Sequence, residues 1–286
     1  MSATPLTWGG RSIPAPGGLP AVAVSLTGPS LAQARTQAHS AVGAGADVLE
    51  LRVDLLEETG AVAAPEPLDA ATAAAQVLEC LRGLGEIIAA DGADAGAGAP
   101  LLLTCRTAAE GGRARLDDTA YAALLRSVLD GLTDWTPERR PAAIDVEVQR
   151  GCLPQICAQA HALDIDVVAS FHDFEATPAD EALEEVLARM AREGADLAKI
   201  AVWPTTADDV ARLLGVCARA TAGAGEGADL GVPVAAMSMG ALGAVSRVAP
   251  AFGSALTFAV VPDEQGQSRA SAPGQLPLQD VRRCLE

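Results

Sequence analysis

The sequence almost lacks lysine. Among 286 residues and 20 basic side chains, Lys199 is the single lysine, and the other 19 are arginines. Arginine supplies charge and hydrogen bonds at least as well as lysine, but a guanidinium stays protonated near neutral pH and cannot act as an amine nucleophile. Lys199 also lies in an apolar run, GADLAKIAVWP (194–204). These features favour covalent amine chemistry at Lys199; the alternative is a lysine at the edge of the core whose amine extends to solvent.

Long apolar runs and basic residues are also scarce, and these two shortages indicate where the protein is located and which partners it can bind. No apolar run reaches the roughly 18 residues of a membrane span, and residues 1–18 lack the charged start and apolar centre of an export signal. Basic residues are few, and the formal net charge of -17 argues against nucleic acid or an anionic membrane surface as the main partner. We therefore expect a cytoplasmic protein, which can still bind a small anion where several arginines converge.

Cysteine, histidine and aromatic residues are also sparse. The six cysteines show no CxxC spacing, and the three histidines form no HExxH pattern and no ligand set with cysteine. We therefore expect reduced thiols and no zinc site. Aromatic residues make up 3% of the chain. The core is consequently expected to be aliphatic.

Short β-branched apolar runs alternate with longer segments of helical periodicity, a pattern typical of repeated βα units. The predicted strands are 21–26, 48–54, 100–107, 143–148, 166–173, 197–203, 233–239 and 255–260. The predicted helices are near 30–45, 67–90, 117–131, 152–163, 179–193, 207–221, 241–251 and 277–285. Eight such pairs on a chain of this length favour an α/β fold of the (β/α)8 TIM barrel type, a single domain over 21–286, rather than an open doubly wound sheet.

Local signals refine this reading. The glycine- and alanine-rich stretches 91–99 and 222–231 are interpreted as surface connections, because the βα alternation continues across them. Thr177 to Asp180 and Thr206 to Asp209 each place a hydroxyl three residues before a carboxylate, which predicts two capping boxes at helix starts.

Polar residues cluster near the predicted strand ends. In a parallel barrel these ends lie at one rim, so residues distant in sequence meet there. The residues of this kind are Ser25, Glu50, Arg52, Arg106, His172, Lys199 and Ser238. Charges within apolar strands are costly to bury unless they are paired, and a shared site would explain them.

Two of these residues predict the chemistry. An apolar wall and nearby arginines would lower the pKa of Lys199 and allow its amine to attack a ketone. His172 is the candidate general acid and base, with Asp173 beside it to orient the ring. The alternative for His172 is a strand-end histidine that is merely hydrogen-bonded.

The remaining candidates concern binding. Arg52, Arg106 and Arg247 are interpreted as a clamp for a carboxylate or phosphate, with ordinary ion pairs as the alternative. Ser271 and Gln275 flank a Pro-Gly turn, which predicts either a lid over the site or a solvated loop.

Several stretches, in order along the chain from about residue 20, resemble the type I 3-dehydroquinate dehydratase family. The matching stretches are SLTG (25–28), ELRVD (50–54), TCRTAAEGG (104–112), SFHDFEATP (170–178), AKIAV (198–202), MSMGALGAVSR (237–247), FGSALTF (252–258) and ASAPGQ (270–275). Residues 1–20 and 60–99 match nothing recognisable.

This resemblance implies a barrel enzyme without metal or organic cofactor, usually a homodimer, that converts 3-dehydroquinate to 3-dehydroshikimate in the shikimate pathway. Lys199 would form an imine with the C3 ketone of the substrate, and His172 would remove a C2 proton and pass a proton to the departing C1 hydroxyl. Glu110 would orient or tune His172. The residues implied to hold the substrate are Ser25, Glu50, Arg52, Arg106, Arg247, Ser271 and Gln275. A short N-terminal segment, here within residues 1–20, would cap the bottom of the barrel.

Two other functions stay open on the sequence. An aldolase or transaldolase would also use a strand-borne lysine, but would break a carbon-carbon bond. A barrel that binds an anion or assembles with partners without turnover is the alternative from a different class.

Overall fold

The computed structural model describes residues 4–60, 69–88, 99–222, 230–262 and 269–286. Eight parallel strands run in chain order around a barrel, and the last of them pairs with the first. They are β3 (Ala21–Leu26), β4 (Val48–Arg52), β5 (Leu101–Thr104), β6 (Ala143–Glu147), β7 (Asp166–Asp173), β8 (Leu197–Val202), β9 (Val234–Ser238) and β10 (Leu256–Val260). The backbone N–H of Ala255 donates to the carbonyl of Val234 at 2.7 Å, which links β10 to β9. The (β/α)8 prediction is confirmed.

Seven α-helices are present in the described residues, and they pack outside the strands. They are α1 (Leu31–Gly43), α2 (Ala70–Ile88), α3 (Asp118–Gly131), α4 (Leu153–His161), α5 (Asp180–Arg192), α6 (Ala207–Thr221) and α7 (Leu278–Leu285). None of the described helices is long and apolar enough to cross a membrane. Residues 67–68 and 89–90 of the predicted second helix, and most of the two glycine-rich connections, lie outside the described residues.

The helix predicted over 241–251 is wrong. This segment contains two short 3-10 turns, Ala244–Val248 and Pro250–Phe252. Proline lacks the N–H that a continuing α-helix would need at position 250. Gly253, with φ of 82°, ends the second turn in the left-handed region.

The two predicted capping boxes differ in outcome. At the start of α6, the Thr206 hydroxyl accepts from the Asp209 N–H, and the Asp209 side chain accepts from the Thr206 N–H, so this capping box is confirmed. The box predicted at α5 is wrong, because the N-cap is Ala179, which has no side-chain cap. The Thr177 hydroxyl instead donates to the carbonyl of Trp203 at 3.0 Å, which ties the loop after β7 to the end of β8.

The inside of the barrel changes character along the strands. Alternate residues of a strand face the same side, so the residues two positions after Val48, Ala143 and Leu197 also face inward. The first layer is apolar and joins one buried cluster. The next layer contains Glu50, Asp145 and Lys199, two positions further along the same strands, and all three are buried. Strand periodicity therefore places charged groups inside the barrel at the end where the strands finish.

A short hairpin packs against the opposite end of the barrel. Its strands, β1 (Leu6–Trp8) and β2 (Arg11–Ile13), pair antiparallel. Separately from this hairpin, a two-residue strand, β11 (Leu276–Pro277), pairs with the end of β10. Trp8 is 1% exposed, and its Nε1 donates to the Asp166 carboxylate at the start of β7 at 2.7 Å.

We predict that Trp8→Ala lowers the free energy of unfolding by about 3–5 kcal/mol, because a buried aromatic ring and its hydrogen bond are lost. Urea unfolding measures the change, and Thr7→Ala, at an exposed neighbouring position, is the matched control with an expected change under about 0.5 kcal/mol. Equal stability of the two variants would contradict a packing role for Trp8.

Candidate active site

A cavity of about 460 Å³ lies at the end of the barrel where the strands finish, and nine of the ten predicted site residues line it. These nine are Glu50, Arg52, Arg106, Glu110, His172, Lys199, Arg247, Ser271 and Gln275. Ser25 lies just behind them, where its hydroxyl donates to Glu50 and accepts from Ser271 at 2.8 Å. Ser238 is fully buried and does not line the cavity; Met237, its neighbour in β9, does.

Lys199 is buried and its amine faces carboxylates. The side chain comes from β8 and the residue is 4% exposed, so the alternative of a lysine that reaches solvent is wrong. Nζ lies 3.5 Å from Asp145 Oδ2, 3.9 Å from Glu50 Oε1 and 4.5 Å from the centre of the Phe258 ring. Burial lowers the pKa of Lys199, the two carboxylates oppose this effect, and the nearby arginines add to it. The pKa falls below its ordinary value, as nucleophilic attack requires.

His172 is paired with Glu110. Nδ1 lies 2.9 Å from Glu110 Oε2, and the backbone N–H of His172 donates to the same oxygen at 3.1 Å. Glu110 thus fixes the ring, and Nε2 is left for chemistry. The prediction that Asp173 orients the ring is wrong, because its carboxylate accepts instead from the backbone N–H groups of Glu175 and Ala176.

The environment of this pair shifts the pKa of both members. Burial raises the pKa of Glu110 to about 8, against the effect of Arg106. Burial, Arg106 and Lys199 lower the pKa of His172 well below its ordinary value. Phe174 covers the pair at the mouth, and its ring lies so close to Gly111 that a Cβ there would collide with it. Burial therefore disfavours the charged form of both members of the pair.

Arg106 is at the centre of a buried charge network. Its Nη2 donates to Asp145 at 2.8 Å, and its Nη1 donates to Ser170 at 2.8 Å and to Glu147 at 3.2 Å. Arg52 forms a two-pronged ion pair with Asp54, with both N–O distances at 2.8 Å. Ordinary ion pairs, the alternative considered for these arginines, are therefore present at Arg52 and Arg106.

Arg247 differs from the other two arginines. It is 2% exposed, and within the described residues its guanidinium contacts two backbone carbonyls, of Phe258 at 3.4 Å and Pro273 at 3.1 Å, but no carboxylate. Nε is buried and has no hydrogen-bond partner among those residues. Burial lowers the pKa of Arg247 to about 10. A buried charge without a counter-charge is costly, and an anion in the cavity would remove that cost.

The Ser271 to Gln275 loop packs over the mouth and is not a solvated loop. Ser271 and Gln275 exchange two hydrogen bonds of 3.0 Å, Ser271 contacts Ser25, and the carbonyl of Pro273 accepts from Arg247. Gly274, with φ of 80°, packs so closely on the backbone of Gly240 that no side chain would fit. In the part of the chain that the structure describes, no group of His, Cys, Asp and Glu side chains is arranged to hold a metal.

Comparisons with known proteins identify the family of this chain. The family model described as type I 3-dehydroquinase matches residues 22–286. The chain belongs to the type I 3-dehydroquinase family. It is 38% identical to a 3-dehydroquinate dehydratase of Lactiplantibacillus plantarum over 93% of this chain and 92% of that protein, and 34% identical to one of Albidiferax ferrireducens over 100% and 94%.

Solved structures of 3-dehydroquinate dehydratases have the same fold as this chain. The Geobacillus kaustophilus 3-dehydroquinate dehydratase superposes with a TM-score of 0.79 at 27% identity, over 99% of this chain and 96% of that one. The Clostridium difficile enzyme, whose structure contains covalently modified comenic acid, superposes with a TM-score of 0.78 at 27% identity, over 99% and 97%. Nothing in these comparisons favours an aldolase or a transaldolase.

Several residues of this 3-dehydroquinase site were missed in the sequence. Asp145, Glu147 and Ser170 anchor Arg106, and Phe258 packs against the amine of Lys199. A signal was present for the acidic pair, because two carboxylates within the predicted strand 143–148 need partners once they are buried. The sequence gives no comparable signal for Phe258, because an aromatic residue within a strand is ordinarily predicted to belong to the hydrophobic core.

We predict that Glu110→Gln changes the pH dependence of stability. Glu110 binds its proton more tightly in the folded state, so its contribution is complete below the unfolded pKa, 4.5, and is lost as pH rises through about 8. Glutamine keeps the shape without the charge. The stability of the variant relative to wild type should therefore increase from pH 5 to pH 9 in urea unfolding.

The control for this experiment is Glu79→Gln, at a carboxylate that is 74% exposed on α2. A difference between Glu110→Gln and wild type that stays constant over the same pH range would show that Glu110 is not protonated in the folded protein.

Proposed function

We propose that this chain is a 3-dehydroquinate dehydratase that eliminates water from 3-dehydroquinate through an imine on Lys199. The observation that carries this proposal is a buried amine in the same cavity as the His172–Glu110 pair. The amine supplies a nucleophile, and the pair supplies a base and an acid.

Imine formation comes first. Uncharged Nζ attacks the C3 ketone of the substrate, the carbonyl oxygen leaves as water, and one proton is taken up, so the product is an iminium cation. This cation withdraws electrons from the bond between C2 and its hydrogen, which is why an amine is required and a guanidinium would fail. Burial supports the step, because it keeps a fraction of Nζ uncharged near neutral pH.

His172 then moves the protons. Its Nε2 takes a proton from C2, and the electron pair shifts to the nitrogen of Lys199 to give an enamine. The enamine expels the C1 hydroxyl, which leaves as water with the proton from His172. Water hydrolyses the resulting conjugated iminium, which releases 3-dehydroshikimate and restores the amine. Glu110 holds Nδ1 throughout, so the ring stays oriented.

We assign the carboxylate of the substrate to Arg247. Among the described residues, this guanidinium faces the cavity without a carboxylate partner, whereas Arg52 and Arg106 are neutralised by their own ion pairs. A two-pronged contact with a carboxylate would restore its charge balance. Arg52 and Arg106 remain available for hydroxyl groups.

The other substrate-binding assignments follow from position. Glu50 lines the cavity beside Lys199 and accepts hydrogen bonds, which suits a hydroxyl of the substrate. Ser25 holds the carboxylate of Glu50. Ser271 and Gln275 close the mouth and place a hydroxyl and an amide at the substrate.

We also propose that the enzyme acts in the cytoplasm, in the shikimate pathway, as a homodimer. These three assignments are supported by the family to which the chain belongs. Sedimentation equilibrium of the full chain tests the last of them.

We predict that borohydride, added with 3-dehydroquinate, fixes a substrate adduct on the peptide that contains Lys199. Lys199→Arg should fold, lose turnover and form no adduct. His172→Ala should still accumulate the adduct while turnover falls by about 10²–10⁴-fold. Peptide mass mapping locates the adduct, and an adduct elsewhere or full turnover in Lys199→Arg would contradict the imine mechanism.

We predict that Arg247→Met raises KM for 3-dehydroquinate by about 10- to 100-fold, because charge-assisted hydrogen bonds to the carboxylate are lost. Methionine fills a similar volume without a buried charge, so the free energy of unfolding should not fall. Arg283→Met, at a side chain that is 74% exposed, is the control with unchanged kinetics. An unchanged KM in Arg247→Met would remove this residue from the binding site.

A further inference from the structure

Asp145 lies beneath Lys199, and its two carboxylate oxygens have different partners. The residue is the third of β6 and is fully buried. Oδ1 accepts from Ser170 Oγ at 2.7 Å and from Arg106 Nη2 at 2.8 Å. Oδ2 faces Lys199 Nζ at 3.5 Å and has no other hydrogen bond within the described ranges. One oxygen is therefore held in place, and the other is directed at the amine.

The two neighbouring carboxylates are committed elsewhere. Glu147 accepts from the backbone N–H of Thr107 at 2.7 Å with one oxygen and from its hydroxyl at 2.6 Å with the other. Glu50 lies farther from Nζ, at 3.9 Å, and its oxygens accept from Ser25 and from Thr104. Among these three carboxylates of the described site, Asp145 is therefore the one that directs an oxygen, Oδ2, at the amine alone.

The proposed reaction makes a cation at this nitrogen. Nζ is uncharged when it attacks the ketone and positively charged as the iminium. A positive charge in a buried cavity needs an anion within a few ångströms, because solvent is excluded. Arg52, Arg106 and His172 also face Nζ and supply no negative charge, whereas the Phe258 ring adds a weaker attraction from its face.

Asp145 remains ionised in these surroundings. Burial alone would raise the pKa of Asp145, but Arg106, Lys199 and Ser170 together hold it below its ordinary value. The carboxylate is therefore negative beside the charged amine. Its pull on Nζ acts on the ammonium and on the iminium alike.

We propose that Asp145 is a further catalytic residue, whose Oδ2 is the counter-ion of the cation formed at Lys199 Nζ, with Arg106 as its positioning residue. This inference rests on the imine mechanism proposed above. It assigns the stabilisation of the iminium to a buried side chain that does not itself line the cavity.

The single lysine makes a direct test available. Amine-directed acetylation, quantified by peptide mass mapping, reports the pH at which Lys199 becomes uncharged, since no other side chain carries an amine. Asp145→Asn should lower the midpoint of labelling by about one pH unit or more, because a close opposite charge raises the pKa of an amine by this order.

Ser170→Ala is the matched control, since it removes a hydrogen bond to Oδ1 but keeps the charge, and its midpoint should shift by less than about 0.3 units. A role of Asp145 that is purely structural predicts the same small shift in both variants.

Imine trapping measures the effect on the intermediate. At a pH above both labelling midpoints the amine is uncharged in both proteins, so the variant differs from wild type only in the stability of the iminium. We expect borohydride to trap about tenfold less adduct at subsaturating 3-dehydroquinate in Asp145→Asn. Equal trapping and an unmoved midpoint would each contradict the proposal.

Two arrangements keep the test decisive. Failure of wild type to form any adduct would overturn the imine mechanism itself. The labelling midpoint is measured without substrate, so it tests the contact between Asp145 and Lys199 independently of that mechanism. If Asp145→Asn does not fold, carboxyl ¹³C spectra of wild type replace it. One aspartate resonance should then move in step with the labelling midpoint of the amine, and the absence of such a resonance would refute the contact.

Discussion

The burial of one amine among balanced charges is the constraint on which this active site depends. Lys199 Nζ lies inside the barrel, 3.5 Å from an oxygen of Asp145 and 4.5 Å from the centre of the Phe258 ring. Without the carboxylate, the cationic state would be too costly to form, and without the burial the uncharged state would be too rare. Arg106 holds Asp145 in place. Its positive charge also contributes to the lowered pKa of Lys199.

The barrel supplies this environment by simple geometry. Strand periodicity directs an apolar layer and then a charged layer into the interior, and the N-terminal hairpin packs against the apolar end. The charged layer is possible because, among the described residues, Arg52 and Arg106 are paired with carboxylates, whereas Arg247 contacts two backbone carbonyls and no carboxylate. We have proposed that the substrate carboxylate binds at this arginine, where it would supply the missing negative charge.

Much of the fold was predictable from the sequence because strand and helix periodicities are local. The boundaries of β3, β7 and α6 agree with the predicted ranges. The failures have long-range causes. Asp173 is the neighbour of His172 in sequence, yet Glu110 reaches the ring from another βα loop, 62 positions away. Whether an arginine is free or already paired depends in the same way on contacts that no spacing reveals.

The most direct measurement of the central claim is a pH titration of the protein labelled with ¹⁵N-lysine, in which the single lysine gives a single Nζ signal. The account predicts a midpoint clearly below 10.5, the ordinary value for lysine, in the free enzyme. A midpoint at or above 10.5 would show that the carboxylates dominate the burial, and the amine would then not be the nucleophile that this site requires.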